Sequence, residues 1–88
     1  MKLIIAILRD FDTDNVSHAL TTANFRVTSI ASTGGFLRRG QTTLLIGLEN
    51  EQVDQALDII RDNCAVPSEG GRNRAIIFVV KVDRFVHF

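Results

Sequence analysis

The 88-residue chain is poor in residues that commonly make sites: one cysteine, two histidines, one proline and no excess of either charge. A single thiol, Cys64, excludes an internal disulfide framework and a multi-cysteine zinc site, and reads as a reduced thiol at a helix end. The histidines, His18 and His87, are far apart and have no acidic cluster at ligand spacing, so no metal is expected. Ten basic and ten acidic side chains cancel, and no basic tract or acidic tail marks a nucleic-acid partner. The opening apolar stretch is too short for a signal peptide, and no apolar run approaches the roughly 20 residues of a membrane span. A cytoplasmic location is the default expectation. Nothing pairs a serine or cysteine with a histidine, and neither nucleotide motif, G-x-x-x-x-G-K-[ST] or G-x-G-x-x-G, is present. No catalytic residue is assigned.

What is present is a regular alternation of apolar segments. With 45% hydrophobic and 23% charged residues, the chain has an ordinary globular composition, and its length predicts one domain over residues 1–88. A domain this small buries about 60–65% of its unfolded surface, so its core is thin and association is an attractive way to bury more. Leu3–Leu8 is a continuous apolar run suited to a central strand. Val16, Ala19, Leu20 and Ala23 then recur at helical spacing. Phe25 to Ser32 alternates as a second strand, and Thr42–Leu48 is an apolar third. Asn50 is a plausible N-cap for a second helix, marked by Val53, Ala56, Leu57 and Ile60 and ending near Asn63. Ala75–Val82 is the fourth strand. The order β-α-β-β-α-β, with similar helix faces in both halves, predicts the split βαβ arrangement: a four-stranded antiparallel sheet with two helices on one face. Strands one, three and four carry apolar side chains both ways, so the second sheet face also needs cover, and self-association is the natural source.

Two loops carry the unusual chemistry. In the first, Gly34-Gly35 leaves backbone N–H groups uncovered as an anion-binding nest, Phe36 offers a stacking face, and Arg38 and Arg39 add positive charge. The alternative is a plain connector with Phe36 folded onto the core. The second loop holds Pro67, Gly70-Gly71, Arg72 and Arg74. Arg26 and Thr28 lie on the opposite strand face from Phe25 and Val27, lining either a cleft or a solvated surface. Asn24 reads equally as the residue that ends the first helix. Asp10, Asp12 and Asp14 alternate like the start of an EF-hand loop, without its glycine and glutamate, and read as helix caps. Arg9 stands where an acylphosphatase-type phosphate loop begins on this fold, but the glycine-rich surroundings of that loop are missing.

The string N-F-R-V-T, followed by S-T-G-G-F-L-x-x-G-x-T-T-x-x-I-G and the closing IFVVKVDRFVHF, resembles the PII-like cyclic di-AMP receptor proteins over nearly the whole chain apart from the second loop. The resemblance implies a ferredoxin-like, PII-type subunit that forms homotrimers, binds cyclic di-AMP between subunits and signals to a downstream protein partner without being an enzyme or using a cofactor. It implies that Asn24, Arg26 and Thr28 line the cleft and that Gly34, Gly35, Phe36 and Leu37 meet an adenine and a phosphate. By the same resemblance Gly47 permits close approach, and Phe78 and the penultimate His87 touch the ligand from the C-terminal part.

The chain departs from that pattern at three places. Gln41 stands where relatives usually carry asparagine, His87 where they commonly carry glutamine, and the second loop, Val66–Arg74, is short and lacks the glycines before Ile76-Ile77-Phe78. The alternative expectation is therefore a trimeric interaction module that has lost cyclic di-AMP or takes another adenine nucleotide.

Overall fold

The structure is a computed structural model that describes residues 1–32, 40–65 and 75–88. Its elements are β1 (Lys2–Arg9), α1 (Asp10–Thr22), β2 (Arg26–Ser32), β3 (Gln41–Leu48), α2 (Val53–Asn63) and β4 (Ala75–Lys81). All strand pairs are antiparallel, and the strand order is β2-β3-β1-β4. This is the ferredoxin-like βαββαβ arrangement. No described helix is long and apolar enough to cross a membrane.

One face of the sheet is covered. Ile4, Ala6 and Leu8 of β1 and Leu44, Ile46 and Leu48 of β3 are buried at every second position. They pack against Val16 and Leu20 of α1 and Ala56 and Ile60 of α2, so both helices share that face. Each buried valine, leucine or isoleucine contributes about 1.5–3 kcal/mol by leaving water. Cys64 is buried at the end of α2.

The junctions are specific. α1 ends in a Schellman turn: Phe25 N–H donates to Leu20 C=O (3.0 Å), and Asn24 N–H to Thr21 C=O (3.0 Å). Asn24 carries the positive φ this turn needs, 70°. Asparagine tolerates that region better than most residues, and its helix-ending role is therefore real. α2 itself begins at Val53, and the cap falls at Glu49, one residue before the expected Asn50. A 3₁₀ turn over Asn50–Gln52 leads in, and Glu49 and Gln52 exchange side-chain-to-backbone bonds as a capping box. β2 departs from strict alternation, because a register shift between Ser29 and Ala31 introduces a bulge.

The aspartates at the start of α1 are not caps. The N-cap position is Arg9, whose side chain makes no capping bond. Asp10 and Asp12 are instead buried and bond to distant parts of the chain. Thr42 Oγ1 donates to Asp10 Oδ1, and Ala65 N–H donates to Asp12 Oδ1 (2.9 Å).

Candidate functional site

Among the described residues, no helix covers the second face of the sheet. The strand registers arrange its side chains in rows across the sheet. One row reads Arg26, Gly47, Leu3, Val80, and the next reads Thr28, Leu45, Ile5, Phe78. A third continues through Thr43, Ile7 and Ile76. Leu3, Ile5, Ile7 and Leu45 are only half-buried. Ile76 and Phe78 are 42% and 53% exposed, and Val80 is also exposed. Contiguous apolar surface of this kind marks an interaction site rather than ordinary scatter.

Three of the expected site residues meet at one corner of this face. Arg26 is opposite Gly47 on the neighbouring strand, and Thr28 is two residues further along β2. Arg26 and Thr28 are both exposed, which places a cation and a hydroxyl beside a position without a side chain. Asn24 lies just ahead of them, exposed, at the end of α1.

Gly47 is informative because no contact among the described residues requires it. A Cβ built there meets no atom within 4 Å. Glycine inside a strand costs about 0.5–1 kcal/mol relative to alanine. The gap it leaves in the apolar face is the kind of place where a ligand or another backbone approaches closely.

The other expected residues are distributed differently. Phe78 lies on the same face but on β4, three strands away from Thr28. At about 4.8 Å per strand that separation is about 14 Å. Gln41 is exposed at the opposite end of β3 from Gly47, six residues and about 20 Å along the strand. β4 ends beside the start of β1, with Lys81 opposite Lys2 and Val82 N–H donating to Met1 C=O (3.1 Å). The tail therefore leaves the sheet at the end that holds the Arg26–Gly47 row. In the tail, His87 stacks on Phe85 with ring centroids 6.4 Å apart, and Phe85, Val86 and Phe88 are exposed. Gly34, Gly35, Phe36 and Leu37, with Arg38, Arg39, Arg72 and Arg74, lie outside the described residues.

Arg9 does not face an open phosphate site. Its guanidinium donates to Asp12 Oδ2 through Nε (2.9 Å) and ion-pairs with the same oxygen through a terminal nitrogen (2.8 Å). It also donates to the carbonyl of Ala65 and lies over the Phe11 ring, 4.6 Å from its centroid. Sequence reasoning missed this cluster of Arg9, Asp10, Asp12 and Thr42. The alternating acidic residues were the available signal, but only the fold shows that they turn inward.

Comparison with known proteins gives the family and the fold. A family model described as the cyclic-di-AMP receptor matches residues 1–70. The chain belongs to the cyclic-di-AMP receptor family. The match runs from β1 through α2, so the Arg26–Thr28–Gly47 corner lies wholly inside it. A solved structure of a functionally unknown protein from Pediococcus pentosaceus ATCC 25745 is similar over 99% of this chain and 96% of its own, with 37% identity and a TM-score of 0.79. That similarity extends through β4 and the tail.

Proposed function

We propose that this receptor is a PII-like signal transduction protein whose homotrimer binds cyclic di-AMP in the clefts between subunits. The observation that carries the reading is the division of candidate residues between the two long edges of one uncovered apolar face. Arg26, Thr28 and Gly47 stand towards the β2 edge, and Phe78 stands on β4. A ligand touching both groups takes them from two copies. A heterologous contact of one copy's β4 edge with the β2–β3 corner of the next closes into a ring. It also covers the half-buried leucines and isoleucines of the sheet.

Within such a cleft, Arg26 supplies the direct cation for a phosphate, and Thr28 and Asn24 supply hydrogen bonds. Gly47 lets the ligand lie against β3, and Phe78 of the adjoining copy forms an apolar wall for a purine. By family resemblance, Gly34, Gly35, Phe36, Leu37, Gln41 and His87 complete the contacts. A polar cleft with few cations suits a compound carrying two negative charges. The role is cytoplasmic signalling to a protein partner, with no catalysed reaction.

Calorimetry with cyclic di-AMP, run beside ATP, tests the ligand, and light scattering tests the assembly. The expected result is heat with cyclic di-AMP from a species about three times the 9.8 kDa chain mass. A single-chain mass at micromolar concentration overturns the cleft. A trimer that gives heat only with ATP reassigns the ligand to another adenine nucleotide. A trimer silent to both is an interaction module that has lost the nucleotide.

A further inference from the structure

The first turn of α1 ties together the ends of both loops. On one side, Asp10 N–H donates to the carbonyl of Gly40 (3.0 Å), and Asp10 Oδ1 accepts from the Thr42 hydroxyl. Gly40 and Thr42 follow directly on residues 33–39. On the other side, both oxygens of Asp12 are in use: Oδ1 accepts from Ala65 N–H (2.9 Å) and Oδ2 from Arg9. Ala65 immediately precedes residues 66–74, and its carbonyl is held by the same Arg9 guanidinium.

Arg9 joins the two sides. Its backbone stands in the β1–β3 ladder opposite Gln41, and its side chain reaches Ala65. Asp10 and Asp12 are 3% and 1% exposed, so neither carboxylate can release its partner to water. A buried charge that loses one of its bonds is strongly disfavoured, which makes partial opening of such a network costly. The two sets of bonds, to Gly40 and Thr42 through Asp10 and to Ala65 through Arg9 and Asp12, spring from one strand-to-helix turn and therefore favour opening together over opening singly.

We infer that Arg9, Asp10 and Asp12 are positioning residues that couple the two loop roots, so that loosening Gly40–Thr42 loosens Ala65 and the reverse. Insofar as it concerns nucleotide, this coupling rests on the function proposed above. It would let a ligand held at one loop be felt at the other. The two roots carry their own reporters, the N–H groups of Asp10 and Ala65.

Amide hydrogen exchange on the intact protein without nucleotide reads both reporters. Thr42→Val touches only the first root, and Asp12→Asn removes charge only beside the second. Each is expected to speed exchange at both reporters by several-fold while leaving the core Ile46 amide slow. Arg9→Lys keeps the charge but shortens the fork and is expected to do the same, and it serves if Asp12→Asn does not fold. Acceleration confined to each variant's own root overturns the coupling, as does equal acceleration at Ile46 or none at either reporter. Because no ligand is present, a failed nucleotide titration leaves this result intact. In wild-type protein that does bind cyclic di-AMP, the nucleotide is expected to slow both reporters together.

Discussion

Leu45 and Ile46 are adjacent on β3, similar in size and equally apolar, yet they meet opposite surroundings. Ile46 is fully buried under the helices, whereas Leu45 is half-buried in the row that runs from Thr28 to Phe78. The same contrast repeats along β1 between Ile4, Ala6 and Leu8 and their neighbours Leu3, Ile5 and Ile7. The covered face stabilises the subunit. The other face is apolar and, among the described residues, open, and it holds the arginine, the hydroxyl and the glycine gap assigned to the ligand in the proposed function.

The largest effect that separates the faces is core truncation. Ile46→Ala is expected to cost about 2–5 kcal/mol in denaturant unfolding at any protein concentration. Leu45→Ala should cost less in dilute protein and progressively more as concentration rises, because in the proposed assembly a second copy buries it. Equal, concentration-independent costs at the two positions would remove the distinction between the faces. Next in size, Arg26→Ala is expected to weaken cyclic di-AMP by about 1.5–3 kcal/mol, the range for a hydrogen bond to a charged group, while leaving the unfolding midpoint in place. Unchanged affinity in calorimetry would take Arg26 out of the cleft.

Gly47→Ala sharpens the comparison further. With open space around its Cβ, the variant subunit should be as stable as the parent or up to about 1 kcal/mol more so. A methyl in a close-packed ligand contact costs about 1–3 kcal/mol, so affinity should fall by about 5- to 150-fold. A variant that binds normally would mean that nothing approaches the gap. The smallest effect is at Asn24. Asn24→Ala should cost about 1 kcal/mol of stability, because alanine resists positive φ. Asn24→Gly keeps the turn and removes only the amide, so any loss of affinity in that variant measures the side chain's contact with the nucleotide.

Much of the architecture was legible because the patterns are strong. β1 and β3 extend only one residue or so beyond their apolar runs, and both helices follow their i, i+3, i+4 stripes. The two-sided hydrophobicity of the strands announced the bare face before any fold was built. Local patterning did not reveal the bulge after Ser29, since alternation continues through it. It assigned Asp10 and Asp12 to capping because acidic residues before a helix usually cap. Their true partners, Thr42 and Ala65, are 32 and 53 residues away, and only the assembled topology brings them near. For the same reason, the placing of Phe78 and Arg26 towards opposite edges was not readable. Strand order is a property of the sheet, not of any one segment.

The left-handed turn at Asn24 sets the phase of everything after it. It reverses the chain within one residue, so Phe25 is committed inward beneath the helices and Arg26 outward. Adding or deleting a single residue between Ala23 and Phe25 would turn β2 over. A guanidinium would then press into the hydrocarbon interior, and a phenyl ring would take the outward position that Arg26 holds.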